Sequence, residues 1–250
     1  MDIYEAVERR ISCRSYADKE VETEILDNLR QYIESINQES GCHFQLYGPR
    51  GEEETAIDVT PSVFVGPVYH YIACVGPNNI IGSEKIGYYG EKLVLYATQL
   101  GLGTCWVVSN YKRETLRYKA GSQELLLGVI TLGYAMRRTP TRQWLIRANF
   151  RQKDKTPEQL IVSDTDEIPD WIADGVKCVI IGPSGANMMP FIFEWKKGAL
   201  SAYMDIHMLG KTIPFQIINL GIAKLHFEIG SRKHGTWQWG EHGVFQIEES

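Results

Sequence analysis

Apolar residues recur at helical spacing in several stretches of the chain. Residues 22–36 carry one apolar stripe, and residues 83–100 carry another that ends at a pair of glycines. Asp2 predicts the cap of a short first helix, and Ser83 predicts the cap of the second long one. Residues 212–229 are apolar on nearly every side, which predicts a helix buried between two units.

Strand patterns alternate with these helices. Apolar alternation or continuous apolar runs predict strands at residues 42–47, 69–75, 125–134 and 191–195. Residues 196–198, Lys-Lys-Gly, read as the turn after the last of these, and residues 236–247 close the chain as one or two strands. The pattern therefore predicts a protein of mixed helices and strands.

Composition narrows the class of protein. The chain has 250 residues and is 44% hydrophobic, which suffices for a buried core in one large domain or two coupled halves. A net charge of -5 argues against a nucleic-acid surface, because such domains are usually basic. Five cysteines without a C-x-x-C pair predict free thiols in a reducing compartment. With no signal-peptide pattern and no membrane-length apolar run, we expect a soluble cytoplasmic protein.

Residues 8–16, E-R-R-I-S-C-R-S-Y, are the first candidate for chemistry. In an extended segment Arg10, Ser12 and Arg14 point to one face, because side chains alternate along a strand. Two guanidiniums beside a hydroxyl offer donors suited to a phosphate or a polarised carbonyl. The alternative is a basic, solvated helix end, and residue types alone do not decide between the two.

A second stretch, residues 182–191, reads G-P-S-G-A-N-M-M-P-F after the apolar run 179–181. Together the two stretches resemble the signatures of the nitroreductase-like FMN flavoprotein family. In that family an R-x-S-x-[RK] segment holds the ribityl phosphate and the pyrimidine edge of the flavin. A P-S-x-x-N-x-x-P-[WF] segment lines the isoalloxazine ring. The matching residues are Arg10, Ser12 and Arg14 in the first segment, and Pro183, Ser184, Gly185, Asn187, Pro190 and Phe191 in the second.

The resemblance implies further contacts with the flavin. Residues 101–111 are similar to the family's G-L-G-T-x-W element, which places Val108 and Ser109 beside the ring. A lone G-x-G would not by itself indicate a nucleotide loop. The basic segment 137–155 is either a solvated linker or, at Lys153 and Lys155, the part that closes the phosphate site.

The resemblance also implies an architecture. The expected class is α+β, a nitroreductase-like fold with a central, mostly antiparallel sheet flanked by helices. Ordinary family members are homodimers with FMN in the interface. Here the separation of Gly87 from Gly101 recurs between Gly221 and Gly235, and Thr and Trp follow each second glycine. We therefore expect two degenerate halves, residues 1–160 and 161–250, in a monomeric pseudo-dimer or a weak homodimer.

The function implied is that of an FMN-dependent oxidoreductase. NAD(P)H would reduce the flavin, and a nitroaromatic, a quinone or a similar acceptor would reoxidise it. Arg14 would be the catalytic residue, its charge stabilising the reduced flavin near N1 and O2. Two departures from the family pattern are Met189, where many members have Gln, and the lack of an Asn or Lys contact near residues 60–63.

Two other classes of function stay open at this stage. The alternative to turnover is a flavin-binding or storage protein, and a third possibility is an interaction scaffold without flavin. The six histidines show no metal-ligand spacing such as H-E-x-x-H. We expect neither a metal nor a nucleic-acid or membrane partner.

Overall fold

The computed structural model describes residues 1–49, 67–108, 116–136, 155–205, 213–233 and 235–248. The helices in these ranges are α1 (Ile3–Arg9), α2 (Thr23–Ser40), α3 (Ile80–Gln99), α4 (Asp170–Ile181) and α5 (Ile213–Ser231). The strands are β1 (His43–Tyr47), β2 (His70–Pro77), β3 (Gly103–Val107), β4 (Glu124–Gly133), β5 (Ile161–Ser163), β6 (Phe191–Lys196), β7 (Ala199–Met204), β8 (Gly235–Trp237) and β9 (Gly243–Ile247).

The strands form two sheets, one in each half of the chain. The first sheet has the order β1-β2-β4-β3 and is antiparallel throughout. The second has the order β5-β6-β7-β9-β8, with only β5 and β6 parallel. The α+β class and the antiparallel character are confirmed. The strands divide between two sheets where a single central sheet was expected.

Side-chain caps mark the starts of α1 and α3. Asp2 accepts a 2.8 Å hydrogen bond from the Glu5 N–H, which confirms the predicted cap of α1. The cap of α3 was wrongly assigned to Ser83: the Asn79 side chain accepts from the Gly82 N–H at 2.7 Å, so the helix begins earlier. The first two residues of α3, Ile80 and Ile81, are exposed, so they lie outside the buried face from which the helix was predicted. No described helix is both long and apolar enough to cross a membrane.

Helices α3 and α5 pack against each other at the seam between the halves, which confirms that α5 is a buried helix. Gly87 and Gly221 permit this contact. A Cβ on Gly87 would lie 2.0 Å from the carbonyl oxygen of Ile218, and one on Gly221 would lie 1.9 Å from that of Glu84. The two contacts are reciprocal, because each pair is related by the same offset along the chain. The helix backbones therefore touch about a local pseudo-twofold axis.

The halves also share an order of elements. Helix, two strands, helix and two strands follow one another from α2 to β4 and again from α4 to β9, apart from a short 3₁₀ turn at Gly185–Asn187 in the second half. Trp106 of β3 covers Gly90 of α3, while Trp237 of β8 donates to the Lys224 carbonyl of α5. Gly90 and Lys224 are related by the same offset as the seam glycines. These features agree with an internal duplication, which stays a prediction.

Candidate functional site

The first signature is extended, as predicted, and lies along the edge of β3. Helix α1 ends at Arg9, and the N–H of the capping residue Arg10 donates to the Ala6 carbonyl at 2.9 Å. Ser12 then forms a parallel bridge with Thr104 of β3. Tyr16 forms an antiparallel bridge with a residue that follows β4. The first sheet therefore fixes the backbone that carries Arg10, Ser12 and Arg14.

The Arg10 side chain reaches across the seam. Its Nη2 donates to the carbonyl oxygen of Ile181 at 3.2 Å, and its Nε lies 3.8 Å from Glu91 Oε1. The side chain is only 9% exposed. Ile181 ends α4 and directly precedes the second signature. A single chain thus brings the two predicted signatures together.

The second signature forms a tight turn pinned to α5. The Asn187 N–H donates to the Ser184 carbonyl at 3.0 Å, and the Met189 N–H donates to Ser184 Oγ at 3.2 Å. The Gly185 N–H donates to Asn219 Oδ1 of α5 at 2.8 Å. Asn187 has a positive φ of 54°, a conformation that asparagine tolerates better than most residues. The loop geometry is therefore set by both local turn bonds and the seam helix.

The remaining predicted site residues fall around this seam or outside the described part of the chain. Lys155 donates to the carbonyls of Met188 and Met189, each at 3.1 Å, so it lies against the loop of the second signature. Val108 directly follows β3 and packs against the core. Ser109 and Lys153 lie outside the described residues, as does the stretch 60–63.

Arg14 is half-buried beside the same strand as Ser12. Burial raises the pKa of the Cys105 thiol of β3 to about 11, while the positive charges of Arg14 and Arg10 act in the opposite direction. Both arginines are therefore within electrostatic reach of Cys105. The side chains concentrate positive charge along one edge of the first sheet.

A buried polar cluster beneath Arg10 was missed by the sequence reasoning. Glu91 of α3 is fully buried; its Oε2 accepts from Trp106 Nε1 at 2.8 Å, and its Oε1 lies 3.0 Å from His226 Nε2. The other ring nitrogen of His226 is 3.9 Å from Cys178 Sγ. The members come from α3, β3 and the two distant helices α4 and α5, so no local spacing could have predicted the cluster.

A second buried pair joins the same two helices. Lys224 of α5 donates to the Glu84 carboxylate of α3, and both side chains are fully buried. Lys224 also donates to the carbonyls of Gln238 and Gly240 at 3.0 and 3.3 Å, and the Gly240 N–H donates to Glu84 at 2.6 Å. Burial raises the pKa of Glu84 and lowers that of Lys224, each against the attraction of its partner.

The donor set at the seam suits an anionic ligand with polar edges. The Nε of Arg10 is buried and makes no hydrogen bond. Arg14, in the same segment, and Lys155, at the loop of the second signature, add further positive charge. Guanidinium and ammonium donors bind phosphate oxygens with charge-assisted hydrogen bonds. The residues present therefore fit a ligand that carries a phosphate.

The fold places the chain in a known structural class. A structure described as "a putative nitroreductase" from Thermotoga maritima shares the fold, with a TM-score of 0.62, 20% identity, and coverage of 99% of this chain and 93% of that one. Residues 2–231 match the family described as "Putative TM nitroreductase". The chain belongs to this nitroreductase family.

Weaker similarities extend to other solved structures. An FMN-dependent nitroreductase from Clostridium difficile R20291 is 23% identical, over 54% of this chain and 88% of that one, with a TM-score of 0.42. A protein from Parabacteroides distasonis described as "Putative NADH dehydrogenase/NAD(P)H nitroreductase" is also 23% identical, over 55% and 89%, with a TM-score of 0.43. A search of curated proteins finds no match.

Proposed function

We propose that the protein is an FMN-dependent oxidoreductase of the nitroreductase type, acting in the cytoplasm. It would use NAD(P)H as co-substrate and a nitroaromatic, a quinone or a similar small molecule as electron acceptor. The observation that carries the proposal is the hydrogen bond from Arg10 to the Ile181 carbonyl, which joins the two signatures within one chain. Membership of the nitroreductase family supports the class of reaction.

The residues of the seam would divide between the two ends of the cofactor. Arg10, Ser12 and Lys155 would hold the phosphate and the ribityl chain, because a phosphate carries nearly two negative charges and needs several donors. Lys153 and Ser109 keep their predicted roles as phosphate and ring contacts. Pro183, Ser184, Gly185, Asn187 and Val108 would line the isoalloxazine ring.

When bound, FMN supplies the hydride-transfer chemistry, and the protein's part is to bind and orient it. Arg14 would contribute a fixed positive charge near N1 and O2. Such a charge stabilises the reduced, anionic flavin more than the oxidised one, because negative charge develops there only on reduction. Arg14 is therefore the residue we assign to tuning the redox equilibrium.

The test of turnover is anaerobic reduction of the purified holoprotein. Yellow protein that bleaches when NADH or NADPH is added, and regains its colour with a nitroaromatic or quinone, would support the proposed enzyme. Yellow protein that stays oxidised would favour the flavin-binding or storage alternative. Colourless protein that gains no flavin on incubation with FMN would contradict both.

Replacing Arg14 by Gln should lower the flavin midpoint potential and weaken FMN binding. We expect a loss of ~1.5–3 kcal/mol, the range for a hydrogen bond to a charged group. Fluorescence titration of the apoprotein and a redox titration of the holoprotein measure the two effects. Arg9→Gln is the matched control, because Arg9 is a mostly exposed arginine of the same segment. Equal affinity and potential in Arg14→Gln and the wild type would assign Arg14 to the solvated surface.

The amide of Asn187 is assigned to the flavin ring, whereas the turn uses its backbone. Asn187→Gly should weaken FMN binding and leave the apoprotein Tm nearly unchanged, because glycine adopts the positive φ of 54° without strain. Asn187→Ala should lose the same affinity and also some stability, about 1 kcal/mol of backbone strain. Normal affinity in Asn187→Gly would leave the side chain with no ligand role.

We propose that only one of the two pseudo-equivalent places at the seam can take a flavin. Trp239 follows Trp237 by two residues, as Val108 follows Trp106 at the proposed site. The Trp239 ring packs edge-on against Tyr88, with centroids 5.4 Å apart. Counted from the two tryptophans, the Trp239 indole would then occupy the place that corresponds to the proposed flavin contact at Val108.

A lysine next to Trp239 would complete the closure of this second place. Lys85 donates to the Ser40 carbonyl at the end of α2 at 3.0 Å, as Arg10 does to the Ile181 carbonyl at the end of α4. Lys85 also lies 5.6 Å from the centroid of the Trp239 ring.

We predict a saturated ratio of one FMN per chain. Flavin released by denaturation, measured against protein concentration, gives the ratio. A value near two would contradict the closed second place, and a value near one-half would indicate a site shared between two chains.

A further inference from the structure

Glu91 lies directly behind Arg10 and has no part in the roles assigned above. Its carboxylate is fully buried, and its Oε1 is 3.8 Å from Arg10 Nε. At this distance the two groups attract as charges without a hydrogen bond. Among the described residues, Glu91 is the acidic residue that forms an ion pair with the Arg10 guanidinium. A buried arginine needs such a partner, because an unpaired buried charge is costly.

Glu91 is itself fixed from two sides. Trp106 donates to Oε2 from β3, and His226 of α5 lies 3.0 Å from Oε1. The imidazole packs against the start of the second signature: a Cβ on Gly182 would lie 2.9 Å from His226 Cδ2. The carboxylate therefore has a defined position relative to both signatures, and little freedom to leave it.

Arg10 keeps unused donors in this arrangement. A guanidinium has five N–H groups, and in the described part of the chain one hydrogen bond from Arg10, to Ile181, is present. Its Nε is buried without an acceptor. The side chain is thus held by one carbonyl and one charge, and most of its donors make no hydrogen bond to the described residues.

We propose that Glu91 is a positioning residue of the cofactor site, which acts through Arg10 and is held by His226 and Trp106. Its charge keeps the Arg10 guanidinium at the seam, ready for the FMN phosphate. This inference rests on the proposed function in one respect, the assignment of the phosphate to Arg10. According to this inference, a buried residue of the seam, Glu91, directly affects the affinity for FMN.

A double-mutant cycle separates this role from a merely structural one. In the wild-type background Glu91→Gln should raise the Kd for FMN about tenfold, the factor that corresponds to a modest charged interaction. In the Arg10→Ala background the same substitution should change the Kd less than about twofold, because the residue it acts through is gone. Equal factors in both backgrounds would overturn the proposal.

Glu84→Gln is the matched control. Glu84 is the other fully buried carboxylate of α3 and also pairs with a basic residue of α5, but it makes no contact with Arg10. It should lower the stability of the seam and leave the Kd for FMN within about twofold of the wild type. A comparable loss of FMN affinity in Glu84→Gln would show that any damage to the seam suffices, which contradicts a specific role for Glu91.

A readout without flavin keeps the inference separate from the proposed function. The Arg10 Nε–H resonance of the arginine-labelled apoprotein, assigned by its loss in Arg10→Ala, should exchange slowly with water and faster in Glu91→Gln but not in Glu84→Gln. No change in Glu91→Gln would overturn the positioning role. The expected change in a protein that binds no FMN would refute the proposed function and leave the Glu91–Arg10 coupling standing. If Glu91→Gln does not fold, Glu91→Asp retracts the charge by one methylene and takes its place in both measurements.

Discussion

Lys224→Met should destabilise the protein by ~3–5 kcal/mol, the usual cost of leaving one member of a buried ion pair without its partner. Glu84 would remain fully buried, with the Gly240 N–H as its remaining donor. The carbonyls of Gln238 and Gly240 would also lose a donor. Urea denaturation of the apoprotein at neutral pH measures the change in the free energy of unfolding.

The pH dependence identifies the cause. Burial raises the pKa of Glu84 even beside Lys224, and removal of the lysine should raise it further. A carboxyl with a folded-state pKa above its unfolded value takes up a proton more readily in the folded state, so stability rises as pH falls. The defect of Lys224→Met should therefore shrink as the pH falls from neutral towards the unfolded-state pKa of a glutamate, about 4.3. The double variant Glu84→Met/Lys224→Met, which removes both charges, should recover most of the loss; a double variant no more stable than Lys224→Met would contradict this account.

Among single glycine-to-alanine substitutions at the seam, Gly221→Ala should reduce the stability of the protein most. The added Cβ would sit 1.9 Å from the Glu84 carbonyl oxygen and 2.7 Å from the Tyr88 nitrogen, both of them backbone atoms that cannot rotate away. Helices α3 and α5 would have to separate, and overpacking of this kind costs ~1–3 kcal/mol or more. In an unobstructed helix the same substitution would stabilise by about 1 kcal/mol, so the sign of the effect is diagnostic.

Two companion variants calibrate this result. Gly87→Ala meets the Ile218 carbonyl at 2.0 Å and should lose a similar amount of stability. The double variant Gly87→Ala/Gly221→Ala should lose less stability than the sum of the two single losses, because one separation of the helices relieves both clashes. Gly41→Ala has open space around it and only a positive φ of 67°, so it should lose about 1 kcal/mol. A Gly221→Ala protein as stable as the wild type would show that the helices are not in backbone contact.

The periodic parts of the chain could be predicted from the sequence. The apolar stripe of residues 22–36 corresponds to α2, which runs Thr23–Ser40, and the all-round apolar stretch corresponds to α5. Errors arose where a side-chain cap decided the boundary. Asn79 starts α3 before its first buried turn, so the apolar pattern alone placed the start too late.

The site could be predicted only in its linear segments. Arg10 and the second signature were found because each lies in a short motif, and their meeting at Ile181 is a three-dimensional result. The buried groups that surround them left no pattern: Glu91 and His226 meet across 135 residues, and Glu84 and Lys224 across 140. Each helix carries other polar residues too, and which of them meet depends on how α3 crosses α5.

The Glu84–Lys224 pair has a consequence for what two separate, identical subunits could do. Under the local pseudo-twofold relation of α3 and α5, Glu84 corresponds to Ile218 and Lys224 to Gly90. In a true homodimer the two subunits have the same sequence. Every acidic residue would therefore appear on both sides of the axis, and no position could be charged on one side and apolar on the other. If the chain holds two joined copies, as the sequence predicts, that restriction is removed. Each side could then change alone, one towards the proposed ligand site and the other towards a permanently filled core.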